Sequence, residues 1–187
     1  MDLPISAVVF LFLSYHLGDA EDRKHSAVLT VTNGGKDGTW GKPEFCPTGY
    51  ANGFQMKVRK DVNEAFRKDF TLKGIRLHCT DGKTVESKSG KLGEWTEVQR
   101  CPNGNMVSFS LTIELPHPLT PHAVTNLEVL CSGGAKVKKD IFKHMEEGRM
   151  SKHCPSGFIC GIQTRVANEN QMLGKVELRD VKMFCCD

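Results

Sequence analysis

The sequence predicts an all-β domain of about a dozen short strands, built from three copies of one unit and closed by disulfides. Three observations predict it. The pattern Cys-Pro-x-Gly occurs as CPTG at 46–49, CPNG at 101–104 and CPSG at 154–157, at offsets of 55 and 53 residues. Strings of alternating apolar and polar residues stand at fixed distances from the cysteines. Glycine-rich turns punctuate these strings, and helical periodicity is nearly absent.

The chain opens MDLPISAVVFLFLSYHLGDA, where the apolar run from Ile5 to Leu13 is interrupted only by Ser6. A bilayer requires about 20 such residues, so the run matches the core of a secretory signal instead. Its n-region carries Asp2 and no basic residue, while Gly18 and Ala20 suit a cut before Glu21. Residues 1–20 are thus expected to be a signal peptide, with 21–187 the mature domain and the protein secreted. No other stretch is apolar enough for membrane insertion, and there is no Asn-x-Ser/Thr acceptor for N-glycosylation.

Loss of Asp2 and Asp19 raises the formal charge from +3 to about +5. The basic doublets Arg59-Lys60, Arg67-Lys68 and Lys138-Lys139 are scattered and lack interleaved aromatics. A nucleic-acid groove concentrates its charge in a stripe, so nucleic acid is not an expected partner.

The repeated unit begins at its first cysteine. Eight, ten and twelve residues on stand Phe54, Met56 and Val58, then Phe109, Leu111 and Ile113, then Ile162, Thr164 and Val166. Period-two alternation marks a strand with one buried face. A second strand ends on Cys79, Cys131 and Cys185, in IRLHC, LEVLC and VKMFC. There the cysteine shares the parity of the apolar residues and faces the core. The repeats run over about 28–80, 81–133 and 134–187. Asn33-Gly34-Gly35, Asn52-Gly53, Asp81-Gly82, Asn103-Gly104 and Gly133-Gly134 supply the turns. One candidate helix, KKDIFKHMEEGRM at 138–150, competes with the strand and loop that the other copies place there.

All eight cysteines lie in the mature chain, as in a disulfide-bonded secreted domain. If each copy bridges its first and last cysteine, the pairs are Cys46–Cys79, Cys101–Cys131 and Cys154–Cys185, leaving Cys160–Cys186. Exchange of Cys185 with Cys186 is the rival pairing.

VTNGGKDGTWGKPEFCPTGYANGF, LKGIRLHC and the terminal FCC resemble the vitelline membrane outer layer protein family, from about Val31 to Cys186. The first copy matches densely, the second fairly, and the third mainly through its cysteines and apolar positions. The resemblance implies a β-prism: three antiparallel Greek-key sheets around a pseudo-threefold axis. It also implies a structural or barrier role in an extracellular coat or epithelial secretion, with glycoproteins or glycans as partners. Members usually carry an acidic pair before the last strand of each copy. The six positions here are Lys68, Asp69, Thr120, Pro121, Gly174 and Lys175, of which only Asp69 is acidic. Trp40 and Trp95 match the family tryptophan six residues before the first cysteine; in copy three that count reaches Gly148. Asp69, Trp40 and Trp95 are therefore the candidate ligand-binding residues for the glycan reading.

Sugar hydrolysis or transfer needs two carboxyl groups at a set gap, and nothing pairs Glu44, Asp69, Glu94 and Glu97. Cys79 follows His78, but strand parity separates their faces. His117 and His122 in PHPLTPH lack a third metal ligand, and Gly82-Lys83-Thr84 lacks the first glycine of a phosphate loop. No catalytic residue, cofactor or metal is expected, and the protein is expected to be a monomer. Glycan binding, or a weak transglycosylase activity on amino-sugar oligomers, is the alternative to the structural role.

Overall fold

The computed structural model describes residues 23–58, 72–113, 123–139, 141, 146–170 and 175–187. The chain enters through three short strands, β1 (Ala27–Leu29), β2 (Thr39–Trp40) and β3 (Glu44–Phe45). A long pair follows, β4 (Ala51–Val58) and β5 (Leu72–Cys79), then the short β6 (Thr84–Glu86), β7 (Glu94–Trp95) and β8 (Gln99–Arg100). A second long pair is β9 (Met106–Ile113) and β10 (Val124–Cys131), followed by β11 (Lys136–Lys138) and β12 (Glu146–Glu147). The third long pair is β13 (Phe158–Asn170) and β14 (Lys175–Cys186).

These strands form three sheets, all of whose pairings are antiparallel. Sheet one runs β6-β5-β4-β7, with β8 also on β4. Three strands connected in sequence and a fourth returning beside the first make a Greek key. Sheet two repeats the order as β11-β10-β9-β12. Sheet three runs β1-β14-β13-β2, with β3 also on β13. Its third and fourth places are filled by the N-terminus, so the first strands of the chain close the last sheet.

The register repeats as closely as the order. Each long pair carries a bulge with one unpaired residue near its far end: Lys73 between the partners of Lys57 and Val58, Thr125 opposite Ile113 and Thr112, and Arg179 opposite Arg165 and Val166. A second bulge leaves Asn52, Val107 and Cys160 unpaired in the other strand. Bulges raise local twist and bend a strand, which lets three short sheets curl toward a common interior.

That interior is one apolar cluster to which every sheet contributes. Phe54, Met56, Ile75 and Leu77 come from sheet one; Phe109, Leu111, Leu127 and Val129 from sheet two; Ile162, Val166, Val181 and Met183 from sheet three. Each such side chain contributes about 1.5–3 kcal/mol on burial. Disulfides Cys46–Cys79, Cys101–Cys131 and Cys154–Cys185 tie the three copies at equivalent positions. Cys160–Cys186 belongs to a separate small cluster with Phe184, flanked by Phe45 and Tyr50.

The candidate helix at 138–150 is not formed where this stretch is described. Lys138 lies in β11, Glu146 and Glu147 form β12, and Gly148–Met150 are irregular; residues 140 and 142–145 lie outside the described residues. Pairing with β10 and β9 outweighs a local helical pattern. The tryptophan position in copy three also moves by one. β12 sets Glu147, not Gly148, opposite Thr112, where Trp95 stands opposite Lys57 and Trp40 opposite Arg165.

Candidate functional site

The bulge end of the prism buries charged side chains. Lys73, Thr125 and Arg179 stand six residues before Cys79, Cys131 and Cys185, and all three are buried. Arg179 has no exposed side-chain surface; its Nη1 donates to Glu177 Oε2 at 3.0 Å, and its Nε lies 3.1 Å from Asp37 Oδ2. A buried cation persists only with such partners. The backbone of the neighbouring loops closes over the same residues. The Gly90 N–H donates to the Lys73 carbonyl, and the Gly35 N–H to the Arg179 carbonyl, both at 2.7 Å.

The two tryptophans flank this end on the outer sheet faces. Trp95 stands opposite Lys57 and is half-buried. The Arg76 guanidinium lies 4.1 Å from its ring centroid and the Lys57 ammonium 5.5 Å away. Arg76 is held by Glu86 at 2.9 Å, and Lys57 Nζ donates to the Gly90 carbonyl at 2.7 Å. Trp40 repeats the arrangement on sheet three, with Lys182 at 4.4 Å and Arg165 at 5.3 Å from its ring. Arg165 Nη1 donates to the Gly35 carbonyl at 3.2 Å. Cations over an indole face are attracted by its quadrupole. The tryptophans are thus neither core side chains nor bare platforms. Sheet two departs from this arrangement: Thr112 and Glu128 occupy the cation positions, and Glu128 pairs with Lys136 at 3.3 Å.

Two titratable groups on the sheet faces are shifted. His78, which faces out while Cys79 is buried, bonds Gln55 Oε1 through Nε2 at 2.7 Å. Burial lowers its pKa, and the Arg100 and Arg76 charges lower it further. Burial raises the pKa of Asp180, opposed by the Val181 N–H and by Arg165 and Lys182.

The carboxylates weighed in the sequence stand apart. Glu44 pairs with sheet three, Glu94 with sheet one, and Glu97 bonds Lys139 Nζ at 2.9 Å. The Lys139 bond holds the exposed Glu97 carboxyl below its usual range. Asp69, His117 and His122 lie outside the described residues. Gly82, with φ of 84°, and Lys83 form the turn into β6. Among the described residues no three His, Cys, Asp or Glu side chains are grouped to hold a metal ion, and every cysteine is bridged. The outer arrangement offers aromatic surface and positive charge side by side. Sequence reasoning missed the buried Lys73/Thr125/Arg179 set, although its constant distance from the second cysteines was readable.

Comparison with known proteins places this geometry. The profile of the family described as Vitelline membrane outer layer protein I matches residues 27–187. A mouse protein described as a vitelline membrane outer layer protein 1 homolog is 36% identical over 172 residues, covering 87% of this chain and 85% of the relative. The human homolog is 38% identical over 171 residues, covering 87% and 84%. Among solved structures, Calystegia sepium agglutinin superposes with a TM-score of 0.57 at 11% identity, covering 86% of this chain and 96% of the agglutinin. Artocarpin, solved in complex with mannopentose, superposes with a TM-score of 0.52 at 15% identity, covering 85% and 97%. These likenesses establish the β-prism fold. The match over nearly all of the described sheets, together with two relatives well above 30% identity, means that the chain belongs to the vitelline membrane outer layer protein I family.

Proposed function

We propose that the protein is a secreted structural or barrier component of an extracellular coat, of the egg outer-layer type, or of an epithelial secretion. The observation that carries this reading is the construction of the cage. Each copy of the repeat holds its own disulfide, which ties a strand of one sheet to a segment bonded to the neighbouring sheet, and the N-terminal strands close the last sheet. Family membership supports an extracellular context, and four disulfides suit an oxidising compartment. The protein would act as a rigid, protease-resistant monomer that associates with coat glycoproteins or their glycans. Fractionation of the secretion that contains it is the test. The reading expects the disulfide-intact chain to be retained in the coat fraction after a salt wash and to survive trypsin there. Recovery inside cells with reduced cysteines would refute it.

A second reading, glycan binding, is favoured by one observation: Trp40 and Trp95 stand in equivalent outward positions, each beside two cations. The lectin-like fold adds a fold-level analogy. An oligosaccharide with carboxylate or sulfate groups would meet stacking surface and charge together. A glycan array at physiological salt tests it. Signals lost in Trp40→Ala or Trp95→Ala would support it, and an array blank for the native chain would end it.

A further inference from the structure

We propose that the corner of the prism between β1 and residues 149–155 is a docking groove. Its ligand would be an extended acidic peptide segment of a partner protein, which adds to the sheet edge at β1. The cavity there measures about 500 Å³ and is lined by residues 27–32 on one side and by 149–153 and Pro155 on the other. Six consecutive residues of the first wall line it. A strand face would contribute every second residue, so the wall is a strand edge. Among the described residues β1 has one sheet neighbour, β14, and its other edge carries no strand.

Side chains bridge the edge at the other two corners, as Asn33 Nδ2 does just past residues 27–32 in this one by donating to the Leu111 carbonyl at 2.8 Å. At β6, Ser87 Oγ donates to the Lys42 carbonyl and Lys88 Nζ to Thr39 Oγ1, both at 2.6 Å. Beyond β11, Lys139 reaches Glu97 at 2.9 Å. The groove follows from one extra residue in copy three. The Gly41 and Thr96 N–H groups donate to the Thr164 and Met56 carbonyls five residues before Cys46 and Cys101. Their counterpart Gly148 donates to the Leu111 carbonyl six residues before Cys154. The surplus turns Ser151 inward, where its Oγ meets Ser108 Oγ at 3.0 Å. Residues 151–154 consequently form no counterpart to strands β3 and β8.

The chemistry of the walls selects the occupant. Arg149, Lys152 and His153 are exposed on one wall, and none of the lining residues is acidic. Val28, 43% exposed, supplies an apolar seat on the other. An anionic glycan would use the charge alone. A peptide uses the charge, the apolar seat and the free backbone edge at once, as in strand addition.

The test uses the folded, disulfide-intact mature chain and a fluorescein-labelled ten-residue peptide alternating glutamate and valine. Fluorescence anisotropy should show saturable binding that the double variant Arg149→Glu/Lys152→Glu weakens about tenfold or more. N-methylation of alternate amides should weaken it similarly, because it removes ladder donors. Both substituted side chains are exposed; a thermal melt checks folding, and the milder Arg149→Ala/Lys152→Ala serves if the reversal melts early. Absence of saturable binding, indifference to N-methylation, or equal binding of a lysine–valine peptide would overturn the proposal. So would heparin binding that the double variant abolishes while the acidic peptide stays unbound, since that assigns the groove to an anionic glycan. The coat reading does not depend on any of these outcomes.

Discussion

At the scale of single residues, this protein tolerates charge where the sheets bulge. Arg179 is fully buried, and Glu177 beside it is 8% exposed. Truncating the arginine strands the carboxylate in a dry setting, which typically costs about 3–5 kcal/mol. Arg179→Ala should therefore lower the urea midpoint steeply, and a change below about 1 kcal/mol would show the ion pair to be dispensable. His78 gives a pH signature. Its folded pKa is depressed by burial and by Arg100 and Arg76. The unfolded chain binds the proton more readily, so the stability His78 contributes is full above about pH 6.5. It is lost as the pH falls below that value toward the depressed folded pKa. Melting curves from pH 7.5 to 5 should fall less in His78→Gln than in the native chain, and identical slopes would deny the residue that role. The tryptophans taught a different lesson. Their spacing was visible in the sequence, but whether the rings faced core, solvent or cations depended on which strand they paired with.

At the scale of elements, the repeated hairpin and its crossing strand set the demands. Gly53 and Gly161 precede Phe54 and Ile162 and pair with Arg100 and Phe45 of the crossing strands β8 and β3. A β-carbon at Gly161 would lie 2.5 Å from Phe45 Cδ1, and one at Gly53 would lie 2.8 Å from the Gln99 carbonyl oxygen. In copy two the same place is Ser108, where the extra residue in the crossing segment makes room and Ser151 bonds the hydroxyl. Overpacking costs typically about 1–3 kcal/mol. Gly161→Val should lose that much in a thermal or urea titration, while Ser108→Ala loses less; the reverse order would refute the close-crossing account. Strand parity was legible because period two repeats three times. The bulges were not, since an unpaired residue leaves no mark on the alternation. The 138–150 stretch misled for a related reason: Lys136–Lys138 and Glu146–Glu147 are strands because β10 and β9 offer them ladders, whatever their local preference.

At the scale of the whole molecule, three Greek keys share one core, and disulfides tie neighbouring sheets together. Bridges separated by 30–33 residues join a strand of each key to a segment bonded to the next sheet. Chain entropy assigns such a loop about 3–4 kcal/mol. Removing Cys101–Cys131 by a double alanine substitution should lower the melting temperature more than removing Cys160–Cys186. The latter spans 26 residues within sheet three and lies in the satellite cluster. Calorimetry of the two variants decides it, and equal losses would show that the position of a bridge does not matter. The N-terminal strands carry a similar weight, because β1, β2 and β3 complete a sheet begun more than 100 residues later.

The sequence by itself determined the copy number, the long strands, their buried faces and the family, because each rests on local periodicity or on residue identity. Tertiary structure decided the rest. It set which short strand crosses which hairpin and placed cations over the tryptophans. It buried Lys73 and Arg179 at bulges and shaped a groove between β1 and residues 149–155. The physical reason is that partners far apart in the chain are chosen by the packing of three curled sheets around one core. No window of sequence contains that choice.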